Sequence, residues 1–72
     1  MNIKIDSCYH YRQNGLFEGI VKVTDISNTL GFSGDQIAVF SNLGNWRTNG
    51  LALGGEYFIK EVTPETNPEY FL

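Results

Sequence analysis

Apolar and polar residues alternate in short runs along this chain, and glycine, asparagine, aspartate or serine separates one run from the next. Val, Ile, Phe and Tyr dominate the runs, which is typical of β-strands joined by turns. No window of about 11 residues repeats apolar positions at the spacings of three and four that an amphipathic helix requires. The pattern therefore predicts an all-β chain, without an internal repeat or a linker.

The alternation predicts five strands. They fall at residues 8–13, 16–26, 36–41, 45–48 and 56–62. Successive side chains of a strand point to opposite faces of its sheet. The first strand is therefore predicted to direct Tyr9 and Tyr11 to one face, and Cys8, His10 and Arg12 to the other.

Turn-forming residues and glycines predict how the first strands connect. Asn14 and Gly15 tolerate positive φ angles, so they predict a tight hairpin between the first and second strands. Gly19 lies inside the second strand and predicts a bulge or a sharp bend, because glycine has no side chain to pack in a sheet. The polar, glycine-containing residues 27–34 predict a loop before the third strand.

Alternation also predicts which faces the later strands bury. It gives the third strand one face with Ile37 and Val39 and another with Ala38 and Phe40. In the fifth strand it cannot bury Tyr57, Ile59 and Val62 together. Either a local twist changes the register there, or both faces of the strand are partly covered.

Five short strands without a helix predict a small closed or half-open antiparallel barrel over residues 1–62, followed by an irregular tail over residues 63–72. The pattern resembles SH3-like small barrels, which have five strongly bent strands, a long second strand and a short penultimate hairpin. "YHYR", from Tyr9 to Arg12, resembles the paired tyrosines of peptide-binding SH3 domains, and Trp46 lies near the hairpin where those domains carry a tryptophan. The acidic loop and the proline-tyrosine signature of that family are missing.

The segments "YHYR", "NWR" and "EYFIKEV" are also similar to stretches of small uncharacterised bacterial and phage proteins. That resemblance implies a phage or mobile-element origin and no particular activity. The chain has 72 residues, which is the size of one small domain. Its single cysteine cannot form an internal disulfide, so a reducing compartment, the cytoplasm, is expected. No apolar run approaches the roughly 18 residues of a membrane span, and we expect neither secretion nor membrane insertion.

The charge distribution bears on the kind of partner. The net charge is −3, and Glu65 and Glu69 of the tail account for two of the eight acidic residues. The remaining body is close to neutral, so it attracts phosphate weakly over distance. Nucleic acid is therefore a disfavoured partner, and another protein is favoured.

Candidate chemical sites are sparse in this sequence. Cys8 and His10 share a predicted face, yet nothing marks the base, orienting group and oxyanion site that a nucleophilic cysteine needs. One histidine and one cysteine fall short of a zinc ligand set. The glycines of residues 50–55 lack the lysine and hydroxyl residue of a phosphate-binding loop. We expect no enzymatic activity, no cofactor and no metal.

The aromatic and cationic residues are the informative set, because tyrosine, tryptophan and arginine are enriched at protein interfaces. They predict a partner-binding face made of Tyr9, Tyr11, Arg12, Trp46 and Arg47. The leading hypothesis is a non-enzymatic protein-interaction or inhibitor domain that binds and modulates a host protein. One alternative is a single-stranded nucleic-acid binder that uses the same rings with Lys22 and Lys60. Another is a structural component that self-associates.

The tail differs in character from the barrel. Pro64 and Pro68 interrupt strand pairing, yet the segment ends in the apolar residues Tyr70, Phe71 and Leu72. These three residues can fold back to cap an open end of the barrel, or they can anchor another chain. A frayed tail without a role is the third interpretation. The folded-back cap is the favoured interpretation, and the anchor is the second.

Overall fold

The computed structural model describes residues 1–27, 29, 31–46 and 50–71. Five antiparallel strands form one sheet, in the spatial order β4-β3-β2-β1-β5. The strands are β1 (Cys8–Gln13), β2 (Phe17–Ser27), β3 (Gly31–Asn42), β4 (Leu51–Leu53) and β5 (Phe58–Val62). Two short 3₁₀ helices lie at Gly55–Tyr57 and Pro68–Tyr70. The all-β prediction is confirmed.

The hairpin of β1 and β2 forms as predicted. Strand β1 has the predicted bounds, and β2 begins one residue later than predicted. Gly15 has a φ of 81°, and the Leu16 N–H donates to the Gln13 carbonyl at 3.0 Å. The Asn14-Gly15 pair therefore closes the turn through the backbone conformation that glycine tolerates.

Strand β3 is longer than predicted, since it begins at Gly31 and includes residues that we expected in a loop. Gly34 is buried at the point where β3 crosses β2. A Cβ atom on Gly34 would lie 2.7 Å from the Lys22 carbonyl oxygen and 2.8 Å from the side chain of Leu53. The glycine permits close approach of the strands, so its reading as a loop residue was wrong.

Three register shifts bend the pairing of β2 with β3, and two of them bear on the predictions. The shift at Gly19 confirms the predicted bulge there. The second shift leaves Ile37 unpaired, because Ile20 pairs with Ala38 and Val21 pairs with Gln36. A bulge redirects side chains, and Ile37 lies on the same face as Ala38. Strict alternation had placed these two residues on opposite faces, and that prediction was wrong.

The fourth strand lies further along the chain than predicted. Asn45 has a positive φ of 54° and, like Trp46, lies outside any strand. Arg47 and Thr48, the rest of the predicted strand, lie outside the described residues. The observed β4 buries two leucines around an exposed alanine and pairs with the start of β3.

The fifth strand is shorter than predicted, because the 3₁₀ helix Gly55–Tyr57 occupies its expected start. Strand β5 pairs with β1, and β3 pairs with β4, so β4 and β5 are the two edges. Among the described residues no pairing joins those edges, and the sheet is not closed. "Barrel" was therefore too specific, since a strand of three residues supplies little backbone for closure.

Apolar side chains form clusters on both faces of the sheet. The larger cluster contains the buried residues Tyr9, Tyr11, Phe17, Val21, Val23, Leu51, Leu53 and Phe58. The smaller contains Cys8, Ile20 and Val62, with Ala38, Tyr70 and Phe71 packed against it. Strand β5 contributes Phe58 to one cluster and Val62 to the other, and its register shifts between them, beside Tyr11. The shift supports the first explanation, a local change of register. Ile59 is 41% exposed, so the strand does not bury it together with Val62.

The tail folds back onto the smaller cluster. A turn stabilised by hydrogen bonds between Thr63 and Thr66 redirects the chain, and the 3₁₀ helix Pro68–Tyr70 follows. Tyr70 and Phe71 then pack against the sheet, and Leu72 lies outside the described residues. Of the three interpretations of the tail, the structure contains the folded-back one.

Candidate binding surface

The structure buries two of the five residues predicted to bind a partner. Tyr9 and Tyr11 are both 0% exposed and belong to the larger cluster. The Tyr9 hydroxyl accepts a hydrogen bond from the Lys4 N–H at 2.8 Å, and the Tyr11 hydroxyl accepts one from the Gly54 N–H at 3.1 Å. A partner cannot reach these rings in this structure. Their place is the core, because so small a domain needs its large side chains there.

The other predicted residues have different positions. Arg12 is exposed and lines a shallow recess together with Leu16. Trp46 is half-buried, with one side packed against the larger cluster. Arg47 lies outside the described residues. The structure therefore keeps Arg12 and Trp46 as surface candidates and does not bring all five residues together on one accessible face.

Trp46 is held firmly although it lies outside a strand. Its indole stacks on Phe17 with ring centroids 5.6 Å apart and an interplanar angle of 10°. The Trp46 N–H donates to Asn42 Oδ1 at 2.9 Å, and Asn42 Nδ2 donates to the Trp46 carbonyl at 3.0 Å. The amide side chain of Asn42 thus replaces the strand partner that the Trp46 backbone lacks.

The polar edge of the indole is not fully buried. The Trp46 Nε1–H makes no hydrogen bond within the described part of the chain, where no buried side-chain nitrogen or oxygen lacks a partner. This donor therefore keeps some contact with solvent. A Cβ atom on Gly44 would lie 2.9 Å from Nε1, so the glycine leaves room for the indole over the turn.

Two leucines extend the apolar surface beside Trp46. Leu43 is 74% exposed, and its N–H donates to the Leu16 carbonyl at 2.7 Å, which joins the two turns. Leu16 is also exposed, and its side chain lies beside Gly44. We call Leu16, Leu43 and Trp46 the Trp46 surface, with Arg12 at its border through the recess that it shares with Leu16. Sequence reasoning missed both leucines, although an apolar residue placed in or directly after a turn is itself a signal of exposure.

The Cys8 and His10 pair is not arranged as a nucleophile and its base. Burial raises the pKa of the Cys8 thiol, with smaller effects from Lys22, which lowers it, and Glu61, which raises it. The thiol is therefore protonated near neutral pH and a poor nucleophile. His10 Nε2 is hydrogen-bonded to Glu18 Oε2 at 2.8 Å instead. In the described ranges, no three His, Cys, Asp or Glu side chains lie close enough together to hold a metal ion.

A cleft of about 400 Å³ opens between the sheet and the tail. Its floor is apolar, with Cys8, Ile37 and Val62, and Phe71 of the tail forms part of its wall. Lys22 also lines it. The cleft is large enough for a small ligand, but its volume alone selects no ligand chemistry.

Comparisons of this chain with family models, with curated proteins and with solved structures found no match. None of the helices in the part of the chain described here has the length and apolar character needed to cross a bilayer. Support for a binding site at the Trp46 surface therefore comes from the geometry of the described residues and not from a relative.

Proposed function

We propose that this protein is a non-enzymatic protein-binding module and that it contacts its partner through the Trp46 surface. The observation that carries the proposal is the exposure of Leu43, at 74%, on a turn whose backbone is hydrogen-bonded to that of the exposed Leu16, three residues before the half-buried Trp46. Scattered single apolar residues are ordinary on a protein surface, but adjoining ones beside a tryptophan are typical of an interaction site.

Each residue of the surface would contribute a different interaction. Leu16 and Leu43 offer apolar area, and the Trp46 indole offers a hydrogen-bond donor at the end of a large apolar ring. Arg12 supplies a cation at the border, suited to a carboxylate of the partner. The stacking on Phe17 and the two Asn42 bonds fix Trp46 before binding, which reduces the entropy lost on association.

The architecture bears on where such a module binds. One antiparallel sheet with a long β2 and a short β4 supports an SH3-like arrangement of strands. The resemblance to peptide-binding SH3 domains would place the ligand on the paired tyrosines. Burial of Tyr9 and Tyr11 favours a different surface for this chain.

A protein partner fits the distribution of rings and charges better than a nucleic acid does. Base stacking needs accessible rings in a positive groove. Here Tyr9, Tyr11, Phe17 and Phe58 are all buried in the larger cluster. The chain has five Lys and Arg residues against eight Asp and Glu residues, which gives no positive field to attract phosphate.

The experiment is capture of proteins by the immobilised chain from untreated and nuclease-treated halves of a lysate of the source organism, followed by calorimetry with the retained protein. We expect Leu43→Ser to weaken binding about tenfold or more, which corresponds to about 1.4 kcal/mol. Trp46→Phe keeps a ring against Phe17 and removes the indole donor, so it should also weaken binding.

The matched control is Ile59→Ser, which removes another partly exposed apolar side chain, from β5. It should bind with wild-type affinity, and thermal unfolding should show that all variants are folded. Unchanged affinity of the Leu43→Ser variant would refute the proposed surface. Retention that disappears after nuclease treatment would favour the nucleic-acid alternative.

A further inference from the structure

The tail is held on the sheet by apolar contacts alone in the described part of the chain. Tyr70 and Phe71 pack against Cys8, Ile20 and Val62. The hydrogen bonds of residues 63–71 all stay within the segment, including the bond from the Asn67 N–H to the Thr63 carbonyl at 2.8 Å. Within the described residues, detaching residues 63–71 therefore breaks no hydrogen bond or ion pair to the sheet.

The tail covers its face of the sheet incompletely. The cleft of about 400 Å³ separates part of the tail from Cys8, Ile37 and Val62. Phe40 lies beside Tyr70, with ring centroids 5.7 Å apart, yet it is still 47% exposed. Protein interiors are normally packed without such gaps, so this contact is loose.

The connection between the sheet and the docked residues is short and has a defined geometry. Thr63 and Thr66 exchange hydrogen bonds between backbone N–H groups and side-chain oxygens, at 2.9 and 3.2 Å. Pro64 fixes φ within that turn, and Pro68 fixes φ at the start of the 3₁₀ helix that follows. The turn thus sets the direction in which the chain leaves β5 toward Tyr70 and Phe71.

We propose that the tail is exchangeable between two copies of this chain. Tyr70 and Phe71 of one copy dock on the Cys8, Ile20 and Val62 face of the other, and the second tail returns the same contact. The contacts equal those within one molecule, so the turn and the concentration decide between the closed monomer and the exchanged dimer. The exchange is independent of the Trp46 surface.

The test shortens the connection in the full chain by deleting Glu65 and Thr66. The shortened turn can no longer place the tail on its own sheet, so docking requires a second molecule. For an exchangeable tail, sedimentation velocity from 5 μM to 1 mM should show a dimer dissociation constant at least about a hundredfold lower than that of the wild type. In the wild type, exchange competes with docking of the chain's own tail, whose effective local concentration at its sheet is about millimolar.

A second variant identifies the contact responsible. Tyr70→Ser with Phe71→Ser, introduced into the shortened chain, should restore the monomer, whereas Ile59→Ser in the same background should leave the dimer intact. A shortened chain that stays monomeric over the whole range would overturn the exchange. A dimer that survives the two tail substitutions would also overturn it, because association would then use another surface, such as the free edge of β5.

Discussion

The Cys8 thiol lies between the sheet and the tail and is 8% exposed. Burial raises its pKa because the apolar surroundings disfavour the thiolate. The unfolded chain loses this proton at a lower pH than the folded chain does. The stability linked to the group is therefore fully present below the unfolded pKa, about 8.5, and is lost as the pH rises through the higher folded pKa.

We therefore expect the free energy of unfolding of the wild type to decline above about pH 8.5. In the Cys8→Ala variant the decline should begin nearer pH 10, where Tyr11 contributes, since burial raises its pKa too. Urea unfolding at several pH values between 7 and 10.5 measures both profiles. The slopes of the free energy of unfolding against pH are compared, because the substitution itself lowers stability at every pH. Equal slopes for the wild type and the Cys8→Ala variant above pH 8.5 would contradict a contribution of the Cys8 thiol.

Strands whose signals are local could be predicted, and segments positioned by distant residues could not. Strand β1 has the predicted bounds because alternation and the Asn14-Gly15 turn agree. Gly34 was misread because a glycine for close approach and a glycine for a turn are identical in the sequence. Trp46 was assigned to a strand because the role of the Asn42 side chain is invisible to strand periodicity.

The bonds between Asn42 and Trp46 give a prediction at the scale of the element. Asn42→Ala removes both bonds and should lower the free energy of unfolding by about 2 kcal/mol, at about 1 kcal/mol for each bond. Asn42→Asp keeps the acceptor for the Trp46 N–H and should lower it by about half as much. Urea unfolding measures stability, and fluorescence of the single tryptophan reports its exposure. Wild-type emission and stability in the Asn42→Ala variant would exclude a positioning role.

The size of the whole molecule explains why residue type could not predict which candidate residues are exposed. Of the predicted face, Arg12 is exposed and Trp46 is half-buried. Residue type could not show that Tyr9 and Tyr11 are required inside, since that depends on how many large side chains a 72-residue core needs. Leu16 and Leu43 became recognisable as candidates only when two turns were placed side by side.

The two apolar clusters should differ in their contribution to stability. Phe58→Ala removes a buried ring that contacts Tyr9, Tyr11 and Phe32, and should lower the free energy of unfolding by about 3–5 kcal/mol. For a domain of this size that is close to complete unfolding. Phe71→Ala affects only the half-covered face and should lower it by about 1 kcal/mol. Urea unfolding of both variants measures the two losses of stability. A larger loss in the Phe71→Ala variant would contradict the prediction that the larger cluster contributes more than the smaller one.

Cys8 is the only cysteine of the chain, and its position beneath the tail makes it a natural reporter group. A thiol reagent too large for the cleft can modify it only when the tail lifts from the sheet or the whole domain opens. The labelling rate therefore measures how often Cys8 becomes accessible through that movement, and no cysteine needs to be introduced for the measurement.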